Sequence, residues 1–192
     1  MLYFIIAIIF IFLLKIFGPQ IKGSIGEYRV VRQLNRLPKE NYRFLNDVML
    51  QTEKGTSQID HIVISPFGIF VIETKNYKGW IHGNEYSDYW TQTIYQKKIR
   101  FRNPIKQNWG HIVVLRELLK EYADVPFYSI IVFAGSAELK NVDTKTDVIY
   151  DGMLYNTIMK YREFPSLQIK DIEKIAEQLT ALSINDRQAR KQ

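Results

Sequence analysis

Three charged residues interrupt an otherwise apolar stretch, residues 58–75, which reads QIDHIVISPFGIFVIETK: Asp60, Glu73 and Lys75. A charge among Ile and Val is costly unless it is paired or holds a metal. The runs HIVIS and IFVIE, separated by Pro66-Phe67-Gly68, read as two strands of a β-hairpin buried on both faces. With Pro66 and Phe67 as a two-residue turn, Ser65 pairs with Gly68, Ile62 with Val71, and Asp60 falls opposite Glu73. Side chains alternate along a strand, so Glu73 and Lys75 share a face, with Asp60 across from Glu73. Two carboxylates facing each other repel unless a cation lies between them. Oxygen ligands suit Mg²⁺, which takes one or two carboxylates and completes its shell with water and substrate phosphate; Mn²⁺ accepts similar ligands. A lysine beside such a site can orient an attacking water. The same trio could also persist as a buried ion-pair cluster.

The spacing D-x12-E-x-K between apolar strands resembles the PD-(D/E)xK nuclease superfamily. Around it stand Gly23-Ser24-Ile25-Gly26-Glu27, Gln58-Ile59-Asp60-His61, Glu73-Thr74-Lys75-Asn76, Gly79, Trp90 and Asn103-Pro104-Ile105-Lys106-Gln107. That ordered set resembles the nuclease-related domain (NERD) family over roughly residues 22–122. Ile59 stands where many superfamily members carry proline, whereas the family's own residues at this point look like Q-I-D. The resemblance implies a restriction-endonuclease-like α/β fold, an αβββαβ core with a mixed sheet flanked by helices. It further implies Mg²⁺-dependent (or Mn²⁺-dependent) hydrolysis of nucleic acid, DNA before RNA. Asp60 and Glu73 would then hold the metal with the Thr74 carbonyl, and Lys75 would position the water. Glu27 would reach the site from the first helix and Gln107, in N-P-x-x-Q, would line it.

The elements that must position these residues follow along the chain. Residues 1–14 carry no charge, and Ile16 and Phe17 extend the run past Lys15. Seventeen helical residues are about 25 Å long, at the short limit for a membrane span. Neither a basic leading region nor a small-residue cleavage site is visible, so residues 1–17 read as a retained membrane anchor, the alternative being a buried or interfacial helix. Lys15, Lys22, Arg29, Arg32 and Arg36 follow the run, which places the C-terminal domain in the cytoplasm of a single-pass cell-membrane protein. The expected organisation is an anchor (1–17), one domain (18–185) and a polar tail (186–192).

Ser24 and Glu27 form a capping box opening a helix that ends before Pro38. Glu27 lines up with the apolar stripe of Val30, Val31 and Leu34, so it can equally be a helix cap. Residues 43–51 read as a first strand. After the hairpin, residues 76–103 read as short strands or a ribbon. They end in Lys97, Lys98, Arg100 and Arg102, interleaved with Tyr95 and Phe101, with Lys106 beyond. Cations for phosphates beside aromatics for bases suit nucleic acid, although a solvated basic face has the same composition. Asn103 and Pro104 start a helix running to about Tyr122, with Ile105, Trp109, Ile112, Leu115 and Leu119 as its apolar stripe. Gln107 lies off that stripe, in line with His111. Strands are expected at 127–133 and 146–150 with a polar connection between them, and helices at about 152–162 and 167–182.

Composition narrows the alternatives. The 192 residues suit one moderate domain with an appendage, and the absence of cysteine excludes disulfides and thiolate zinc sites. A net charge of +6 favours an anionic partner, nucleic acid or an acidic membrane surface. His61, His82 and His111 lack metal-ligand spacing, and His61 points away from Asp60, as a packed or hydrogen-bonded residue would. Neither a phosphate-binding P-loop nor a G-x-S-x-G elbow occurs. Two other classes of function remain open: a nucleic-acid-binding module without catalysis, and a membrane-tethered interaction scaffold. The intact Asp60, Glu73 and Lys75 argue against a retired site.

Overall fold

The Pro-Phe turn sets the register of the whole sheet. In the computed structural model, which describes residues 25–53, 55–163 and 165–184, Ser65 faces Gly68 and Ile62 faces Val71. The Ser65 hydroxyl accepts from Phe67 N and donates to the Gly68 carbonyl, closing the turn. Gly68 sits at φ 134°, and a Cβ there would stand 2.5 Å from the Pro126 carbonyl oxygen, so no other residue fits easily.

Around this hairpin the chain builds a seven-stranded mixed sheet flanked by helices. Helix α1 (residues 25–34) leads into β1 (Arg43–Thr52), β2 (Gly55–Ser65) and β3 (Gly68–Asn84). A hairpin of β4 (Tyr89–Ile94) and β5 (Lys97–Arg102) precedes α2 (Pro104–Leu118). The chain then forms β6 (Phe127–Asp143), β7 (Asp147–Tyr150), α3 (Leu154–Lys160) and α4 (Ile169–Leu182). Strands β1 to β5 pair antiparallel in sequence, whereas β6 runs parallel to β3 and β7 parallel to β6. The α1/α3 face packs Val30, Leu34, Phe70, Ile72, Ile130 and Val132, and the α2/α4 face packs Ile62, Ile64, Val71, Ile112, Leu115 and Ile175. A third cluster, with Trp90 stacked on Phe133, fills the far end.

Strand β3 is the axis. On one side it pairs with β6 for nearly its whole length, and on the other it meets β2 as far as Ile72 and β4 from Trp80. Between these two ladders its backbone is met by side chains: Thr74 N donates to Asp60, and the Lys78 carbonyl accepts from Gln92. The gap falls at the charged residues. Here the pleat also resets by one residue. Leu45, Ile62 and Ile64 lie on the α2/α4 face, and beyond Asp47 and Asp60 so do Val48, Leu50 and Ile59, which strict alternation would send to the other face. Asp47, at φ 51°, absorbs the irregularity.

Several expectations change. The stretch 137–143, expected as a polar connection, continues β6, because the extended β3 supplies a parallel partner out to Asn84. Helix α2 stops at Leu118 and a 3₁₀ turn carries the chain to Tyr122. Trp109, expected on the apolar stripe, is 58% exposed; Asn108 and His111 take the inward positions instead. Residues 1–17, Ser24 of the capping box, and the tail 186–192 lie outside the described residues. No helix among the described residues is long and apolar enough to cross a membrane.

Candidate active site

Alternation along β3 puts Val71, Glu73 and Lys75 on the side of the sheet covered by α2. Asn103 fixes that helix. It is fully buried, its side-chain oxygen caps Ile105 N at 2.9 Å, and its amide holds the carbonyls of Asn84, Glu85 and Ser87. One turn on, Asn108 donates to the Val71 carbonyl (2.7 Å) and to Ser129 Oγ (2.8 Å), which ties α2 to β3 and β6. Gln107, beside it, therefore reaches the charges on β3.

Glu73, Lys75 and Gln107 form a closed hydrogen-bonded triangle. Lys75 Nζ lies 2.5 Å from Glu73 Oε1 and donates to Gln107 Oε1 at 3.1 Å, while Gln107 Nε2 donates to Glu73 Oε1 at 2.7 Å. The other oxygen, Glu73 Oε2, faces His111 Nε2 at 3.5 Å, and Nδ1 of that ring is 2.8 Å from Ser57 Oγ. Asp60 does not join the β2–β3 ladder, which ends at His61 and Ile72. Its Oδ2 accepts from Thr74 N at 2.7 Å, in place of a backbone partner.

The two carboxylates are electrostatically unequal. Burial, and then the charge of Glu73, push Asp60 up to about 7. Burial also works to raise Glu73, but His111 and Lys75 outweigh it and hold Glu73 below its ordinary range. The shifts run in opposite directions because the two carboxylates share one site, and only Glu73 has a cation, Lys75, bonded to it. Glu27 is solvent-exposed on α1, yet partial burial and the charge of Asp47 raise it, and its own charge raises Asp60 further. His61, whose Nδ1 is 2.8 Å from Asn46 Oδ1, is lowered to about 4 by burial.

The donor set suits a hard divalent cation. Glu73 Oε2 is buried, with only the 3.5 Å approach of His111 Nε2 beside it, which leaves a carboxylate oxygen able to take a cation. Among the described residues no three His, Cys, Asp or Glu converge as a metal cage. A Mg²⁺ site does not require one, since one or two carboxylates with water and phosphate suffice. Beyond Lys75, a cleft of about 330 Å³ runs along Asn76, Tyr77, Lys78, Gln92 and Ser136.

The basic residues sit on β5 and in the first turn of α2. Lys97, Lys98, Arg100 and Arg102 are exposed on β5, with Arg100 stacked over Tyr89 at 4.6 Å, and Lys106 pairs with Asp88 at 2.6 Å. The residues that sequence reasoning missed are His111, Ser57 and Asp47. The i, i+4 spacing from Gln107 to His111 was a usable signal, whereas a left-handed Asp47 leaves none.

Residues 22–134 match the nuclease-related domain family. An uncharacterized protein of Bacillus anthracis is 41% identical over 149 residues, which cover 76% of this chain and 69% of that protein. No solved structure matches the chain.

Proposed function

Because the chain belongs to the nuclease-related domain family, within the restriction-endonuclease-like superfamily, we propose that it is a metal-dependent nuclease acting on nucleic acid, DNA in preference to RNA. The observation that carries this reading is the convergence of Glu73, Lys75 and Gln107 beside Asp60 in the gap of β3. Asp60, Glu73 and the Thr74 carbonyl hold Mg²⁺ (or Mn²⁺). The metal, when bound, draws charge from the scissile phosphate and favours ionisation of water. Lys75, oriented by Glu73 and Gln107, donates to the attacking water and fixes its line of approach. Gln107 keeps the ammonium and the carboxylate in register, and His111 steadies the second oxygen of Glu73. Glu27 adds negative charge at the wall of the site. The exposed cations of β5 and Lys106 bind phosphates that flank the scissile one.

Residues 1–17 anchor this domain in the cell membrane, with its catalytic part in the cytoplasm. The uncharged run and the basic residues that follow it support that orientation. A periplasmic reporter fused after residue 20 should stay silent.

The decisive experiment incubates the full chain in a non-ionic detergent with supercoiled plasmid, linear DNA and single-stranded RNA. Each substrate is tested with Mg²⁺, Mn²⁺ or chelator, alongside Asp60→Ala and Lys75→Ala. Metal-dependent cleavage that both substitutions abolish is the expected result. Salt-sensitive binding without cleavage, unchanged in both variants, would convert the reading to a binding module.

A further inference from the structure

The outer face of α1 has a use that catalysis does not explain. Residues 25, 28, 29 and 32 fall at i, i+3, i+4 and i+7, one continuous face. It carries Ile25 (49% exposed), Tyr28 (69% exposed), Arg29 and Arg32, while Arg36, in the turn after α1, lies over the Tyr155 ring. Glu27 lies on the opposite side, near Val30 and Leu34, so this face points away from Asp60 and Glu73 and is no part of a substrate groove centred on them. A solvated helix has little use for exposed Ile and Tyr beside arginines, but an anionic bilayer surface accepts both. The apolar groups enter the headgroup layer, where tyrosine is favoured, and the cations meet phosphates. Arg29 is held only loosely, 3.9 Å from Asp151, in a hollow of about 300 Å³ shared with Arg32 and Gln33. Chain length agrees. The uncharged run ends at Phe17, and residues 18–24, even if fully extended, reach at most about 25 Å.

We infer that the outer face of α1 docks on the anionic phospholipid headgroups of the bilayer in which residues 1–17 are anchored, and so fixes the orientation of the domain. The inference rests on the anchor reading, and the two fail separately. The chain has no cysteine, so Tyr28→Cys gives a unique attachment point for an environment-sensitive fluorophore, with Ile169→Cys on α4 as the control. The full chain is reconstituted into vesicles of phosphatidylcholine alone or mixed with phosphatidylglycerol. The label at position 28 should brighten about twofold or more only with the anionic lipid, and should lose that gain at about 0.5 M salt. Arg29→Gln/Arg32→Gln should remove the gain while leaving nuclease activity in detergent unchanged, which shows that the domain is still folded. The label on α4 should not respond. Alkaline-resistant sedimentation with neutral vesicles reports the anchor by itself; without it, the anchor reading fails and the inference with it. An anchored chain whose label at position 28 stays as dim in anionic as in neutral vesicles overturns the docking alone. A label that responds to added DNA and not to lipid overturns it in favour of a nucleic-acid surface.

Discussion

Replacing Asp60 by Asn should stabilise the metal-free protein while abolishing cleavage. Burial and Glu73 lift the folded-state value of Asp60 from 3.8 to about 7. A raised carboxylate opposes folding in its ionised form. The penalty is absent below the unfolded value, grows as pH climbs from about 4 to 7, and is constant above that. At about 1.4 kcal/mol per unit the ceiling is about 4 kcal/mol. Asn keeps an oxygen for Thr74 N but brings an amide that needs its own partners, which returns about half of that. A net gain of about 2 kcal/mol corresponds to a midpoint rise of about 4–8 °C for a chain of this size. The assay is a thermal melt of the full chain in non-ionic detergent with chelator, at pH 5 and pH 7.5. The variant should melt well above the parent at pH 7.5, with the gap mostly closed at pH 5. Saturating Mg²⁺ should raise the parent's midpoint and leave the variant's nearly unmoved, because a ligand stabilises only the state that binds it. A variant less stable than the parent at pH 7.5, or equally stabilised by Mg²⁺, would refute the claim that Asp60 and Glu73 are mutually repelling ligands.

Lys75→Met should act in the opposite direction. It leaves the Glu73 carboxylate, 2% exposed, without its cation, a loss that costs about 3–5 kcal/mol in comparable buried pairs; a Lys75→Met/Glu73→Gln double variant should recover most of it in the same melt. His111→Ala should weaken Mn²⁺ binding about 10- to 100-fold, read by electron paramagnetic resonance of free Mn²⁺, because the ring faces Glu73 Oε2 and is braced by Ser57. Gly83→Ala should lower stability by about 1–3 kcal/mol and alter the near-ultraviolet circular dichroism. The added Cβ would stand 2.2 Å from the ring of Trp90, which is buried against Phe133. Burial raises Glu85, but bonds from Thr146 and Lys145 outweigh it and lower it overall, so its stabilising share is present above about pH 4.5 and is lost as pH falls through the depressed value. Glu85→Gln should therefore melt below the parent at pH 6, with the difference closing toward pH 3.

What could be read from the sequence was whatever is written locally. A proline, a phenylalanine and a glycine between two β-branched runs specify one turn, and that turn carries the register from Ser65 and Gly68 to Ile62 and Val71. Asn103 and Pro104 mark a helix start because cap chemistry acts over two residues. From those two anchors Glu73, Lys75 and Gln107 could be brought to one region. Their actual contact needed the closure of α2 onto β3 through Asn108, a residue the apolar stripe ignores. The illegible part depended on partners distant in sequence. The continuation of β6 to Asp143 through Glu138 and Lys140 has no apolar run to announce it, and exists because β3 offers an open edge there. Trp109 was assigned inward by its type, but Asn108 turns inward to the Val71 carbonyl and Ser129 and His111 turns inward to Glu73, leaving Trp109 exposed.

The same logic explains why Asp60 leaves the ladder. A continuous β2–β3 ladder would hold its carboxylate directly opposite Glu73, under the greatest repulsion. Ending the ladder at His61, with Asp47 in a left-handed conformation and Thr74 N given to Asp60, converts a backbone hydrogen bond into a side-chain one. It also opens β3 between β2 and β4. The irregularity therefore lies at the one place where a regular ladder would set two carboxylates face to face, and alternation read from sequence alone has no means of showing it.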